Sequence, residues 1–549
     1  MTTPIRVPEA RSWLHRLFVL RHLAEQVFDA AFTGVEPPAG ARLLIYNETD
    51  AGLGDAAFAH KLVVALSRQL PTVELLLVAV ETAKHAVFAT ETLLPVLDVA
   101  GFKGPAGDAW RRPDLVLSAP AIFDHCRDAA TVLNTLGLPS ETPFLYLAEH
   151  GSIRQLRDDA LKALLAGVEA TVERALDSAA AAAGVAPDDV GYRGGSGEIV
   201  AIVDDKPQAI GSLLEYAATE EGPLASWLSQ PMVSARSSGL EAGESGVFAG
   251  FAGHEDAPHD AVERLESIGD LSDTATRDAL LDTESLHSGY AHGGHGVFLA
   301  YLAALEQGAD QRIDVVSPTT RSAKRALTDF VDDVTAGVLG ELGVGAVEVV
   351  GNAADEVKLG EVCVARREIG AGKLLRVITR HPLPYADFQL IQRLASPVTM
   401  VSGDQSFCDA VTAGKAVLVV EPMYCQTWAL DAQIAMAERV SAPLAKVLRF
   451  ATAAKWDAGN WPQVLALLTD RGVVDDAQRW AAEVREQHNL ATRLPGMVSR
   501  ALWTHQDPTL AAEQVTAWKQ AWAQFSVVEG LSVQVPTTRS SPNRSGQER

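Results

Sequence analysis

The chain has 549 residues, more than one hydrophobic core usually organises, so two large domains are expected. Its formal net charge of −24 argues against binding to nucleic acid or to an anionic membrane surface. The 4 cysteines are scattered without metal-ligand spacing, which argues for a reducing compartment and against a structural zinc site.

Targeting and membrane signals are absent from the sequence pattern. No uninterrupted apolar run reaches the roughly 18 residues that a membrane-spanning helix needs. The beginning of the chain shows no short apolar core followed by a small-residue cleavage site, so no signal peptide is expected. The predicted location is the cytoplasm, without a membrane span and without a nucleic-acid partner.

The chain opens with an amphipathic pattern that predicts a helix from about Glu9 to Ala31. The apolar run Leu43–Tyr46 then predicts a buried strand, followed by a glycine-rich loop that ends at Asp55. A helix is predicted at Ala56–Gln69, and a second strand at Val73–Val80. This β-loop-α-β order predicts a doubly wound sheet in the first domain.

The rest of the first half contains further β/α segments. Strands are predicted at Leu115–Ser118, Pro143–Leu147 and Ile199–Val203, and a helix is predicted between Gln155 and Ala183. The acidic stretch Phe251–Tyr290 has little apolar periodicity. It is predicted to be a hinge between domains, with solvated surface helices as the alternative.

A second β/α series begins after Tyr290, with a helix at Val297–Glu306 and connections that are mostly helical in pattern. Its strands are predicted at Ile313–Val316, Val347–Val350, Leu374–Thr379, Val398–Val401 and Ala416–Val420. The predicted fold class is therefore α/β, with two Rossmann-like β/α domains facing each other across a cleft. A helical extension is predicted at residues 1–40. The two Rossmann-like domains follow at 41–275 and at 276–500. A helical segment at 501–534 and a disordered tail at 535–549 end the chain.

The stretch Val398–Gln433 carries the clearest functional pattern. An apolar strand ends in the turn Ser402–Ser406, a short helix follows, and Gly414 ends that helix before the next buried strand. A turn of this kind at the carboxyl edge of a parallel sheet presents backbone N–H groups and a helix N-terminus, which suits a phosphate. A second turn, Glu421–Gln426, lies at the end of the next strand on the same edge. These features predict a site for a nucleoside diphosphate sugar.

The segment SGDQSFCDAVTAGKAVLVVEP is similar to the donor-site signature of GT-B glycosyltransferases. It most resembles the bacterial protein-arginine rhamnosyltransferase family, in the run Gly403–Phe407, in Ala413–Lys415, and in the N-terminal pair Gly54–Asp55. That family has a second acidic residue where this chain has Gln405, and GT-B enzymes often have a histidine before the glycine, where this chain has Ser402. The resemblance implies a donor-binding second domain, an acceptor-binding first domain and an inverting transfer.

Seven residues of the second domain are predicted to contact the donor, and an eighth, Gln426, lies on the closing turn. Gly403, Gln405 and Ser406, together with the preceding Ser402, offer donors for a diphosphate, although a glycine and serines also suit a plain β-to-α turn. By resemblance, Asp409 bonds the ribose hydroxyls, with Asp404 as a rival contact and a solvated helix carboxylate as the alternative. The family's loop also begins with a tyrosine, which is matched by Tyr290.

The general base is predicted on the other side of the cleft. An inverting transfer needs a carboxylate or histidine that takes the acceptor's proton as the anomeric carbon is attacked. Asp55 is the first choice, at the end of the acceptor-side loop shaped by Gly52 and Gly54, and Asp50 lies on the same loop. The alternative for Asp55 is a helix N-cap. His150, after the strand Pro143–Leu147, is a third candidate, and a structural histidine is its alternative.

The predicted function is a glycosyl transfer from a nucleoside diphosphate sugar, with a UDP- or dTDP-sugar favoured, to a protein side chain or a small molecule. No metal and no cofactor is predicted, because His292 and His295 have no third ligand nearby in the sequence. Two alternatives stay open: a nucleotide-sugar 2-epimerase of the same fold, and a non-catalytic GT-B-like binding protein. The sequence leaves the oligomeric state undetermined.

Overall fold

The computed structural model describes most of the chain between residues 24 and 525. The described ranges are 24–49, 54–88, 94, 96–121, 129–148, 173–193, 198–203, 206–213, 235–240, 244–250, 286–290, 295–306, 312–354, 362–380, 383, 385–421, 427–453 and 461–525. Most of the predicted N-terminal helix, most of the predicted hinge and the predicted tail therefore lie outside the described residues.

The first sheet has six parallel strands in the order β3-β2-β1-β4-β5-β9. The strands span Arg42–Asn47 (β1), Glu74–Ala79 (β2), Val96–Asp98 (β3), Leu115–Ala121 (β4), Phe144–Ala148 (β5) and Ala235–Ser237 (β9). The chain moves outward from β1 to β3 and then returns to β4 on the other side of β1. In an open parallel sheet, the crevice at such a reversal of strand order is the usual ligand position.

The segment between β5 and β9 contains a separate three-stranded antiparallel sheet in the order β6-β7-β8. Its strands span Val190–Arg193 (β6), Glu198–Val203 (β7) and Lys206–Ser212 (β8). The predicted strand Ile199–Val203 therefore exists, but it pairs antiparallel with its sequence neighbours and lies outside the doubly wound sheet. Short connections favour this pairing, because antiparallel strands can be joined by a tight turn whereas parallel strands need a long crossover.

The second sheet has seven strands in the order β13-β12-β14-β11-β10-β15-β16. The strands span Leu286–Tyr290 (β10), Ile313–Val316 (β11), Val344–Asn352 (β12), Val362–Glu368 (β13), Lys373–Ile378 (β14), Val398–Ser402 (β15) and Ala416–Glu421 (β16). All neighbours pair parallel except β12 and β13. The strand order reverses between β10 and β15, so the second sheet also has a switch point.

The predicted hinge is wrong at its end, because residues Leu286–Tyr290 form β10, a central strand whose residues Leu286–Gly289 are buried. The connection between β12 and β14 contains the antiparallel edge strand β13, an exception to connections that are mostly helical in pattern. In β13 the exposed and half-buried residues alternate, as expected for a strand with one partner at the border of a sheet.

Helices cover both sheets, and the C-terminal part of the chain is helical. In the first half they span 24–31 (α1), Gly54–Gln69 (α2), Thr82–His85 (α3), Val99–Lys103 (α4), Ala129–Leu136 (α5) and 173–183 (α6). In the second half they span His295–Leu305 (α7), Ala323–Phe330 (α8), Asp333–Glu341 (α9), Tyr385–Leu394 (α10), Asp404–Thr412 (α11), Thr427–Val440 (α12), Ala442–Ala453 (α13), Trp461–Leu468 (α14), Arg471–Gln487 (α15), Leu490–Gln506 (α16) and Pro508–Phe525 (α17).

The central parallel strands are buried because helices cover both faces of each sheet. In β1, all residues from Leu43 to Asn47 are buried, and β11 is buried along its whole length. The predicted fold class, α/β with two Rossmann-like domains, is confirmed by these two sheets. Within the described residues, no helix is both long enough and apolar enough to cross a membrane.

Among the described residues, α2 makes two of the contacts between the domains. Helix α2 of the first domain packs against α11 of the second, next to the carboxyl edges of their sheets. Helix α16 lies against α2, where Gln69 Nε2 donates to the carbonyl of Ala491 at 2.8 Å. Farther along α16, Trp503 Nε1 donates to the carbonyl of Glu36 at 3.0 Å. The C-terminal helices thus return to the first domain.

Candidate functional site

The two switch points of the sheets carry the segments that the sequence singled out. Asn47 is the last residue of β1, and the loop after it leads into α2 at Gly54. In the second sheet, Tyr290 ends β10 and is paired with Val401 of β15, immediately before Ser402 and α11. Both segments therefore lie at the carboxyl edge where an open α/β sheet binds its ligand.

The two edges face each other across a short distance. A Cβ atom built on Gly54 would lie 3.8 Å from Gln405 Cγ, which is ordinary van der Waals contact. Gly54 is the first residue of α2, and Gln405 is the second residue of α11. The N-termini of one helix from each domain are thus neighbours. Partial positive charge from both helix dipoles converges there, which favours an anion.

The turn before α11 requires glycine for geometric reasons. Gly403 has φ of 83° and ψ of 163°, a combination that side chains exclude. The hydroxyl of Ser406 donates to the carbonyls of Ser402 at 2.5 Å and Gly403 at 2.9 Å. Helix α11 starts at Asp404, three residues earlier than the predicted start at Phe407. Gln405 and Ser406 therefore belong to its first turn, whose N–H groups have no acceptor within the helix.

The carboxylate of Asp409 is held by a lysine of the opposite domain. Lys61 Nζ on α2 lies 2.7 Å from Asp409 Oδ1 and 3.0 Å from Gln405 Oε1. Sequence reasoning did not select Lys61. The available signal was local: Lys61 follows Gly54 by seven residues, so both lie on one face of α2.

A buried polar cluster lies under the loop of the first domain, and sequence reasoning missed it. Asn47 Nδ2 donates to the carbonyls of Ala119 at 2.9 Å and Asp55 at 3.3 Å. Asn47 Oδ1 is 2.8 Å from His85 Nε2, and an amide oxygen can only accept, so His85 carries its proton on Nε2. The cluster fixes the first turn of α2, and with it Asp55, relative to β1.

His85 gives the protein a predictable pH response. Burial, together with the nearby His60, lowers the pKa of His85 from 6.5 to about 4. The unfolded chain binds this proton at higher pH than the folded chain, so stability is lost as pH falls from 6.5 towards 4. The free energy at stake is up to about 3 kcal/mol. Thermal unfolding midpoints at pH 7.5 and pH 5 should differ less in His85→Gln, and an unchanged difference would contradict the assignment.

Tyr290 is partly buried at the end of β10. Its ring lies edge-on to Phe388 with centroids 6.4 Å apart, and burial raises the pKa of its hydroxyl. A half-buried aromatic side chain at a switch point presents a flat apolar surface and a polar tip, which suits a nucleobase or a sugar.

Two other residues of the predicted motifs have structural contacts. Lys415 Nζ donates to the carbonyls of Ala395 at 2.5 Å and Arg393 at 3.4 Å, and so satisfies the C-terminal end of α10. Burial lowers the pKa of Lys415 to about 8. His295 stacks on Phe330 with centroids 3.6 Å apart. Among the described residues, no group of three or more His, Cys, Asp or Glu could hold a metal ion.

Of the remaining predicted site residues, two lie at the beginning of helices and four lie outside the described part of the chain. Asp55 is the second residue of α2, so the alternative that it is the N-cap is wrong, and it belongs to the first helical turn. Four predicted residues lie outside the described part of the chain: Asp50, Gly52, His150 and Gln426. Asp404 begins α11.

Comparison with known proteins yields structural matches alone. No protein-family model and no curated sequence matches the chain. A UDP-GlcNAc 2-epimerase from Neisseria meningitidis is similar at 11% identity and a TM-score of 0.39, over 84% of this chain and 100% of that one. A UDP-forming trehalose-phosphate synthase from Burkholderia vietnamiensis is similar at 12% identity and a TM-score of 0.37, over 87% and 99%.

A rhamnosyltransferase and an enzyme of arginine glycosylation are also among the similar structures. The spinosyn rhamnosyltransferase SpnG, in complex with thymidine diphosphate, shares 11% identity at a TM-score of 0.34, over 82% of this chain and 98% of that one. EarP, which mediates arginine glycosylation of elongation factor EF-P, shares 18% identity at a TM-score of 0.25, over 50% and 93%. At these scores, no property of those enzymes carries over to this chain.

Proposed function

We propose that the protein is a glycosyltransferase that moves a sugar from a nucleoside diphosphate sugar to an acceptor bound by the first domain. The observation that supports this most is the meeting of two switch points, with Gly54 of one edge next to Gln405 of the other. A donor held at the first turn of α11 is then within reach of groups on the acceptor side.

The roles follow from this placement. The N–H groups of Gln405 and Ser406 bind the diphosphate, Asp409 accepts hydrogen bonds from the ribose hydroxyls, and Tyr290 packs against the base or the sugar. Asp55 is the proposed general base, with Asp50 and His150 as the other candidates. The transfer proceeds with inversion and without a metal, because the N-terminal dipole of α11 supplies positive charge beside the diphosphate leaving group. A UDP- or dTDP-sugar is the proposed donor, and a protein side chain or a small molecule is the acceptor.

Nucleotide binding tests the proposal directly. Calorimetry and thermal shift with UDP, dTDP, GDP and ADP should show saturable binding of UDP or dTDP. The matching sugar nucleotide should then be turned over, with release of the nucleoside diphosphate. If none of the four nucleotides binds, the transferase proposal is wrong.

A matched pair of glycine variants at the two ends of α11 locates the phosphate site. Gly403→Ala should lower nucleoside diphosphate affinity by roughly 10-fold or more, because a side chain at φ of 83° strains the turn that presents the N–H groups. Gly414→Ala is the control, since Gly414 also has a positive φ, 69°, but lies at the other end of the helix. It should cost about 1 kcal/mol of stability and leave affinity within about twofold. Equal losses of affinity in both variants would argue against a phosphate site at Gly403.

A further inference from the structure

A charged contact joins the two domains beside the proposed donor site. Lys61 of α2 lies 2.7 Å from Asp409 Oδ1 and 3.0 Å from Gln405 Oε1, both on α11. The side chains of Lys61 and Asp409 are 14% and 7% exposed, so water screens this pair weakly. Two side chains proposed to bind the donor are therefore already in contact with a cation from the opposite domain.

We infer that Lys61 is a donor-site residue whose charge compensates Asp409, so that a diphosphate can be held at the first turn of α11. The inference rests on the proposed function and extends it. The donor site is then shared between the two domains, and its affinity for anions depends on their alignment.

The electrostatic reason lies in the position of Asp409. Asp409 follows Gln405 by four residues, so its carboxylate is one helical turn below the proposed phosphate position. An uncompensated carboxylate at that distance opposes the N-terminal dipole of α11 and repels a diphosphate, and partial burial strengthens the repulsion. With Lys61 in place the pair is close to neutral, and the dipole acts on the diphosphate unopposed.

A second role for the same ion pair makes different predictions. If Lys61 only fastens α2 to α11, its removal loosens the domains and weakens every ligand of the cleft alike. If Lys61 compensates Asp409, the loss grows with the number of phosphates on the ligand. It is also relieved when the charge of Asp409 is removed as well.

The test uses the full chain and whichever of UDP or dTDP the wild-type protein binds, with the corresponding monophosphate and nucleoside. Lys61→Met should lower diphosphate affinity by roughly 10- to 100-fold, and nucleoside affinity by less than about threefold. Asp409→Asn loses a ribose contact as well as its charge, so it is the reference for the double variant. In the Asp409→Asn background, Lys61→Met should lower diphosphate affinity by less than about threefold. Lys446→Met removes a charge from an exposed lysine on α13 and should bind like the wild type.

Three outcomes would overturn the inference. They are equal losses for nucleoside and diphosphate in Lys61→Met, a loss of diphosphate affinity in the Asp409→Asn background as large as that in the wild type, and unchanged affinity in Lys61→Met. Lys61→Arg keeps the charge and should stay within about threefold of the wild type, so it gives a reading even if Lys61→Met does not fold. A wild-type protein that binds neither UDP nor dTDP would remove the proposed function as well, whereas the first three outcomes leave that proposal standing.

Discussion

Asp29→Ala is expected to be among the most destabilising single substitutions in this chain, lowering the free energy of unfolding by about 3–5 kcal/mol. Asp29 on α1 accepts from Arg236 Nε at 2.8 Å and from Arg500 Nη1 at 2.8 Å. Both arginines are buried: Arg236 is 1% exposed to solvent and Arg500 is 0% exposed. Removing the carboxylate leaves two buried positive charges, with Glu25 as the remaining acidic partner of Arg236.

The charges around Asp29 overcome the cost of its burial. Burial alone pushes the pKa of Asp29 upward, but the charges of Arg236 and Arg500 outweigh it and hold that pKa below its usual value. This stabilisation is present above pH 3.8 and is lost as the pH falls through the lowered pKa. The backbone at Asp29 is also closely packed against α16, because a Cβ atom on Gly496 of that helix would lie 2.2 Å from the carbonyl oxygen of Asp29.

The measurement is chemical or thermal unfolding of Asp29→Ala beside Asp29→Asn and an exposed control. Asp29→Asn keeps the shape and some hydrogen bonds, so its loss should be smaller than that of Asp29→Ala. The control is Asp333→Ala, because Asp333 also pairs with an arginine, Arg367 at 2.7 Å, but its side chain is 99% exposed. No measurable change is expected there. If Asp29→Ala unfolds like the control, the buried cluster does not stabilise the fold.

The sheets could be predicted from the sequence where the strands are covered on both faces. Such strands carry apolar runs, as at Leu43–Tyr46 in β1 and along β5, and their type and order were predictable. Strand β10 was missed because it places His287 and Ser288 in the centre of a sheet. His287 Nδ1 is 2.7 Å from Ser396 Oγ, a contact that an apolarity pattern cannot show. Strand β13 was missed because it is a border strand with one partner, and its sequence mixes valines with the charged residues Arg366, Arg367 and Glu368.

The candidate site also has some features that depend on neighbouring residues and others that depend on residues far apart in the sequence. The turn at Gly403 and the start of α2 at Gly54 depend on neighbouring residues, so sequence spacing placed them at the strand ends. The contact of Lys61 with Gln405 joins residues 344 positions apart, and that of Asn47 with His85 joins residues 38 apart. Nothing in a single sequence encodes which helix faces which across the cleft. The turn before α11 was therefore easier to predict than the contacts of α11 with α2.

Asp55→Asn is expected to lower the turnover of the sugar nucleotide by roughly 100- to 10,000-fold while leaving nucleoside diphosphate affinity within about twofold. Asp55 lies in the first turn of α2, next to Gly54, which faces Gln405 of α11. Its backbone carbonyl accepts from Asn47 Nδ2 at 3.3 Å, which ties this turn to the end of β1. A carboxylate held at this edge can take a proton from an acceptor hydroxyl or amine, and an amide of the same shape cannot.

The assay is release of nucleoside diphosphate from the matching sugar nucleotide in a single turnover, with water as the acceptor. Asp332→Asn is the matched control, because the carboxylate of Asp332 accepts from Thr335 N at 2.7 Å at the start of α9. Loss of charge at that helix terminus should leave turnover unchanged. A fully active Asp55→Asn would assign the proton transfer to another group, and Asp50→Asn and His150→Gln are then the next variants. Loss of turnover with nucleotide binding retained would assign the two functions to different helices. The nucleotide would be bound by α11, and the proton transfer would depend on Asp55 of α2.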